Sequence, residues 1–161
     1  MSAPPLLIVW HSRTGTARAL AAAAKDGAGA AARSVRAEEA SFDDFLAAHG
    51  YLFVGPENLG SLSGMMKEMF DRCYYPLLGR IEGRAYATIV AAGSDGEQAG
   101  KQIDRIVTGW RLKRIAEPVI VNMDAQTQEA ILAHKTVPPE RLAEVRELGE
   151  AFAEGLRQGV F

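Results

Sequence analysis

Four short runs of this chain are apolar along their whole length: Leu6-Leu7-Ile8-Val9-Trp10, residues 51–54, residues 86–92 and residues 119–121. They are separated by stretches whose apolar residues fall at helical spacing. A strand that is apolar at every position has no face to offer to water, so it must be covered on both sides. A parallel sheet with helices packed on its two faces does this. A fifth, weaker strand is predicted over residues 33–36, where Ser34-Val35-Arg36 alternates as an edge strand would. The expectation is an α/β fold, a three-layer sandwich around a five-stranded parallel sheet, in one domain over residues 1–161. With 161 residues and 48% hydrophobic content, such a core needs neither disulfides nor metal.

The helical stretches are distinct in kind. Residues 17–25 are almost pure alanine, a strong helix former that lets a helix lie close to a sheet, and Gly27 and Gly29 are expected to end it. Leu62, Met65, Met66, Met69, Phe70, Cys73, Tyr74 and Leu77 form an apolar stripe that Pro76 should finish. Ala99, Ile103, Ile106, Val107 and Trp110 mark another helix, with Arg111, Lys113 and Arg114 near its negative end. The last opens at Pro138-Pro139-Glu140 and runs to Gly159. Residues 124–137 make a connection longer than the roughly 2–6 residues usual at such a place. A short helix is expected within it, over residues 125–132, which could cover a ligand, pack on a second subunit or cap the sheet; the structural role is the preferred reading.

Charge and cysteine usage narrow the function classes. Cys73 is the only cysteine, which rules out an internal disulfide and a cysteine zinc site. On its stripe it reads as a buried, unreactive thiol. His11, His49 and His134 are far apart in sequence, which suits solvated or hydrogen-bonded side chains better than a metal trio. A formal net charge of −2 carries no nucleic-acid footprint. No basic leader and no apolar stretch of roughly 18 residues is present, so a soluble cytoplasmic protein without membrane contact is expected.

The first strand runs straight into His11-Ser12-Arg13-Thr14-Gly15-Thr16, three hydroxyl side chains around a glycine, and then into the alanine helix. A helix following such a loop points its unpaired N–H groups and positive dipole end into it. Ser12, Thr14 and Thr16 add hydroxyl donors, and Gly15 lets the backbone approach an anion without a Cβ in the way. The lysine of a nucleotide-triphosphate loop and the three spaced glycines of a dinucleotide fingerprint are both missing. An ordinary strand-to-helix turn with a Ser or Thr cap is the competing reading.

Ligands of an open parallel sheet gather at the C-terminal strand ends near the switch in strand order, where two more glycine-rich loops fall. One is Gly55-Pro56-Glu57-Asn58-Leu59-Gly60-Ser61, the other Ala92-Gly93-Ser94-Asp95-Gly96-Glu97. Together with Ser12-Arg13-Thr14-Gly15-Thr16-Ala17, they resemble the FMN-binding loops of flavodoxin-like proteins. The segment from Gly55 through Gly60-Ser61-Leu62-Ser63-Gly64, Met66-Lys67 and Phe70-Asp71-Arg72 is similar to the NAD(P)H-dependent FMN reductase and quinone reductase branch. The resemblance spans about residues 6–96.

It implies strand order 2-1-3-4-5 and FMN across the ends of strands one, three and four. Ser12, Arg13, Thr14, Gly15, Thr16 and Ala17 would hold the phosphate. Pro56, Glu57, Asn58, Leu59 and Gly60 would border the isoalloxazine, and Gly93, Ser94, Asp95 and Gly96 would face its pyrimidine side. The second loop departs from the pattern by having no Tyr or Trp to stack on the ring, which leaves Leu59, Trp10 or a partner subunit. Glu57 has three readings: a carboxylate beside the flavin, a cap on the following helix, or a partner of Lys67. Asn58 can present both a donor and an acceptor to a ring edge.

The resemblance implies an oxidoreductase that takes electrons from NADH or NADPH and passes them through FMN to a small-molecule acceptor such as a quinone or flavin. In that case no acid–base pair of the protein is required. A flavodoxin-type electron carrier is the alternative, weakened by the mild net charge, because docking surfaces for electron partners are dense in carboxylates. A receiver module wants acidic residues where His11-Ser12 and Gly55-Pro56 stand. The Met-rich stripe with Tyr74 and Tyr75 suggests a homodimer interface.

Overall fold

The computed structural model describes residues 4–161. The central sheet is parallel and is buried on both faces. Its backbone is β2 (Ala32–Arg36), β1 (Leu6–Trp10), β3 (Gly50–Asn58) and β5 (Ala85–Ala92), in that spatial order. The position beyond β5 is filled by two short strands. β6 (Lys113–Arg114) pairs with Ala85 and Tyr86, and β7 (Val119–Asn122) pairs with residues 89–92. Pro118, which has no N–H to give a ladder, lies between them. A further strand, β4 (Ser61–Leu62), pairs antiparallel with the end of β3. The sheet thus has seven strands where five were expected, and the expected order survives with its fifth place divided.

Alternation along each strand splits the core in two. Leu6, Ile8, Leu52, Val54, Ala87 and Ile89 face α1 (Thr16–Ala28) and α6 (Pro139–Gln158). Leu7, Val9, Tyr51, Phe53, Tyr86 and Val90 face α2 (Phe42–Ala47), α3 (Gly64–Leu77) and α4 (Glu97–Gly109). Aromatic rings fill this second layer, with centroids 5.0 Å apart for Phe53 and Phe70 and 5.2 Å for Phe45 and Trp110. Each fully buried ring of this kind contributes roughly 1.5–3 kcal/mol.

Gly27 does not end α1. It lies inside the helix, where a Cβ would come within 1.9 Å of the Arg146 carbonyl oxygen of α6; Gly149 of α6 meets the Ala24 carbonyl oxygen in the same way at 2.1 Å. The two glycines let α1 and α6 touch backbone to backbone. Pro76 sits one residue before the end of α3. Met66 and Met69 of that helix are fully buried, so its outward face carries Met65 and Tyr75 rather than a methionine stripe. Arg114, expected at the end of α4, instead pairs with Asp104 and Glu117, both at 3.0 Å.

One helix without a long apolar stripe is α2. It begins with a capping box in which the Ser41 hydroxyl accepts from the Asp44 N–H, while the Asp44 carboxylate accepts from the Ser41 N–H at 2.9 Å. Its C-terminal end is held by Arg84, which donates to the carbonyls of Phe45, Leu46 and Ala48. Among the described residues no helix is long and apolar enough to cross a membrane.

Candidate functional site

Two helices that start at the C-terminal sheet edge are preceded by glycines of nearly the same conformation, Gly15 at φ 104° and Gly96 at φ 98°. Their N-termini are treated in opposite ways. The end of α4 is closed from inside the fold: the Glu57 carboxylate accepts from the Gly96 N–H at 2.8 Å and from the Ala99 N–H at 3.1 Å. The end of α1 has no side-chain cap and no acidic residue in its first turn. Its first N–H groups therefore have no partner within the helix and face the loop of Ser12, Arg13 and Thr14. The loop's own bond is Gly15 N–H to Ser12 Oγ at 3.2 Å.

The second loop is not irregular. β3 continues through Pro56 and Glu57 to Asn58, turns at Leu59 and Gly60, and returns as β4. Both turn residues have positive φ, 53° and 70°, as a two-residue hairpin turn of the primed type requires. A leucine at that φ is strained, and its side chain stands fully in solvent at the cavity mouth. The hairpin is fastened to α4 twice: Glu57 caps the helix, and the Gln102 Oε1 accepts from the Ser61 hydroxyl at 2.9 Å and the Leu62 N–H at 2.8 Å. Glu57 thus holds two of the three loops in register. It neither caps α3 nor pairs with Lys67, which binds Asp71.

These elements border a cavity of about 520 Å³, within the roughly 300–1,000 Å³ usual for cofactor pockets. Ser12, Arg13, Thr14, Thr16 and Ala17 line one end. Pro56, Glu57, Asn58, Leu59 and Gly60 form one wall, with Gly93 and Ser94 nearby. Asp95 and Gly96, expected here, lie outside the lining. Asp95 accepts from the Glu97 N–H, and the Gly96 Cα faces Ile120. Gly15 borders a smaller neighbouring hollow of about 230 Å³ with Trp10, Arg18, Arg36, Glu38 and His134, so Trp10 stands apart from the main cavity.

Ala92, at the head of the third loop, also lines the cavity, and residues that sequence reasoning missed complete it: Ala91, Met123, Ala125, Ile131, Leu132 and Lys135. Ala125, Ile131, Leu132 and Lys135 belong to the long connection, Ile131 and Leu132 within its short helix α5 (Gln128–Leu132). The α5 part of this segment buries no residue and borders the cavity. The Lys135 N–H donates to the Thr14 carbonyl at 2.8 Å, and the His134 ring lies so close over Gly15 that a Cβ there would sit 2.5 Å from its Cε1. The unusual length of the connection was the one sequence signal for it.

Arg13, Arg18 and Lys135 take part in no ion pair among the described residues, so this end of the site is positively charged. His11 is buried behind the loop, with Nδ1 2.9 Å from the Ser63 hydroxyl. Burial lowers its pKa below the usual histidine value; Glu38 opposes this and Arg13 adds to it. Cys73 is buried near the Ala40 carbonyl, and burial pushes its thiol pKa up, as an unreactive core cysteine requires. No group of three His, Cys, Asp or Glu side chains suited to a metal occurs among the described residues.

No family model matches this chain. A flavodoxin of Aquifex aeolicus (strain VF5) is 30% identical over 95 residues, covering 56% of this chain and 51% of that protein, so the chain spans about half the length of the curated relative it matches. The WrbA-like flavodoxin from Agrobacterium tumefaciens superposes with a TM-score of 0.76 at 17% identity, covering 95% of this chain and 97% of that one. The two-electron reduced flavodoxin of Megasphaera elsdenii superposes with a TM-score of 0.71 at 23% identity, covering 92% and 98%. The fold is flavodoxin-like.

Proposed function

We propose that this chain binds FMN at the described cavity and works as an NAD(P)H-dependent oxidoreductase that passes electrons to a small-molecule acceptor such as a quinone or flavin. The observation that carries the reading is the open N-terminus of α1, set in a hydroxyl-lined loop at the mouth of a cavity, while the geometrically similar start of α4 is satisfied by Glu57. An unfilled set of N–H donors beside Ser12, Thr14 and Thr16 matches a phosphate monoester. Gly15 admits no other residue there without moving His134, which fits a loop that must keep its backbone exposed.

The remaining cavity suits a flat ring. Its wall is the rigid hairpin of Pro56 to Gly60, and Asn58 offers a donor and an acceptor at the ring edge. When bound, the flavin supplies the hydride and electron chemistry; the protein binds, orients and shields it. The enzyme reading is favoured over a carrier by the formal net charge of only −2, since docking surfaces for protein electron partners are dense in carboxylates.

The test is a visible spectrum of the purified protein after FMN is supplied and the excess removed, followed by anaerobic NADH or NADPH. Retained flavin absorbance that bleaches with the nucleotide is the expected result. Retention without bleaching would indicate the flavodoxin-type carrier, and no retention would overturn both.

A further inference from the structure

We infer that the segment through α5 to Lys135 is a built-in jaw of the flavin site, with Lys135 supplying the positive charge for the phosphate and Leu132 the apolar cover over the ring. The inference rests on the FMN reading and assigns it residues outside the three strand-end loops.

The Lys135 ammonium donates to three uncharged oxygens: the carbonyls of Ala133 at 2.6 Å and Ile131 at 3.0 Å, and the Thr14 hydroxyl at 3.4 Å. No carboxylate neutralises it among the described residues, so a full charge is held rigidly against the phosphate loop. The main chain fixes the same junction through the Lys135 N–H bond to the Thr14 carbonyl. A phosphate seated at the start of α1 would feel this charge through the Thr14 junction, an attraction that added salt screens.

Nothing in α5 is buried. Its apolar residues Ile131 and Leu132 are 54% and 71% exposed, yet both line the cavity that Leu59 also lines. A five-residue helix with no buried residue gains little from packing, and exposed leucines on it are costly unless something apolar covers them. A flat ring in the cavity would be covered by Leu59 from the hairpin and Leu132 from α5. This supplies the second wall that the aromatic-free loops do not.

The charge role separates from the apolar role by ligand. FMN and riboflavin share the ring and differ in the phosphate. The Kd of each is measured by flavin fluorescence quenching for wild type, Lys135→Gln, Lys135→Arg and Leu132→Gln, at low salt and at about 0.5 M salt. Lys135→Gln is expected to weaken FMN by about tenfold at low salt, to flatten the salt dependence, and to leave riboflavin within about twofold. Lys135→Arg should stay within about threefold of wild type for both. Leu132→Gln should weaken both ligands alike, by about fivefold. Lys135→Gln weakening FMN and riboflavin equally, or neither, overturns the charge role; unchanged binding in Leu132→Gln overturns the apolar one. Wild-type protein that takes up neither flavin overturns the FMN reading itself, a result visible before any substitution is made.

Discussion

The carboxylate of Glu57, near the end of β3, closes the N-terminus of α4 by accepting the N–H groups of Gly96 and Ala99, 39 and 42 residues further along the chain. A charge-assisted cap of this kind ties the hairpin wall of the cavity to the helix beside it, so one side chain sets the spacing of two loops. Glu57→Ala leaves those donors unpaired and is expected to lower stability by about 2 kcal/mol, seen as a Tm drop of roughly 4–8 °C. Glu57→Gln, which keeps an acceptor oxygen, should lose about half as much. A Tm within 1 °C of wild type for Glu57→Ala would contradict the capping role.

Gly15 is under two separate constraints. At φ 104° a side chain is strained, and its Cβ would lie 2.5 Å from the His134 ring. Gly15→Ala should therefore destabilise the protein by about 1–3 kcal/mol and weaken FMN by tenfold or more. The double variant Gly15→Ala/His134→Ala removes the collision but not the backbone strain, so it should recover only part of the lost stability. Full recovery in denaturant titration would show that the φ constraint is absent.

The contact between α1 and α6 depends on Gly27 and Gly149. Gly149→Ala forces a methyl group against the Ala24 backbone and is expected to cost about 3 kcal/mol. Gly64→Ala, at the start of α3 with open space around it, is the matched control. It should be neutral or stabilising by roughly 0.5 kcal/mol. Equal Tm changes in the two variants would refute close backbone packing as the role of Gly149.

His11 links stability to pH. Its pKa is lowered in the folded protein because burial disfavours the imidazolium, so between the folded value and about 6.5 the unfolded chain binds more protons. The contribution is fully present above pH 6.5 and is lost as pH falls toward the folded value. Wild-type stability should accordingly decline from pH 7 to pH 5 more steeply than that of His11→Gln. Parallel urea midpoints for the two proteins across that range would rule the linkage out.

The strands at residues 6–10, 51–54, 86–92 and 119–121 were legible because burial on both sheet faces imposes a local pattern, apolar at every position. The same holds for the hydroxyl-rich loop, where Ser12 to Thr16 lie together in sequence. By contrast, α2 left only its short Ser41 to Asp44 box, because six residues carry too little periodicity to stand out. The fifth strand, expected at residues 119–121, is present as β7, and β6 at Lys113–Arg114 was too short to show in the sequence.

From its residues alone, then, the chain determined an alternation of buried strands and helices, a hydroxyl-rich loop after β1 and glycine-rich turns after β3 and β5, since these depend on neighbours within a few positions. The tertiary structure decided what those features do. Glu57 caps α4 rather than α3, Gly27 admits α6 rather than ending α1, and Lys135 reaches Thr14 from 121 residues away. Such pairings are contacts between segments distant in sequence. No local propensity encodes them, and packing of the whole sheet brings the partners within hydrogen-bond reach.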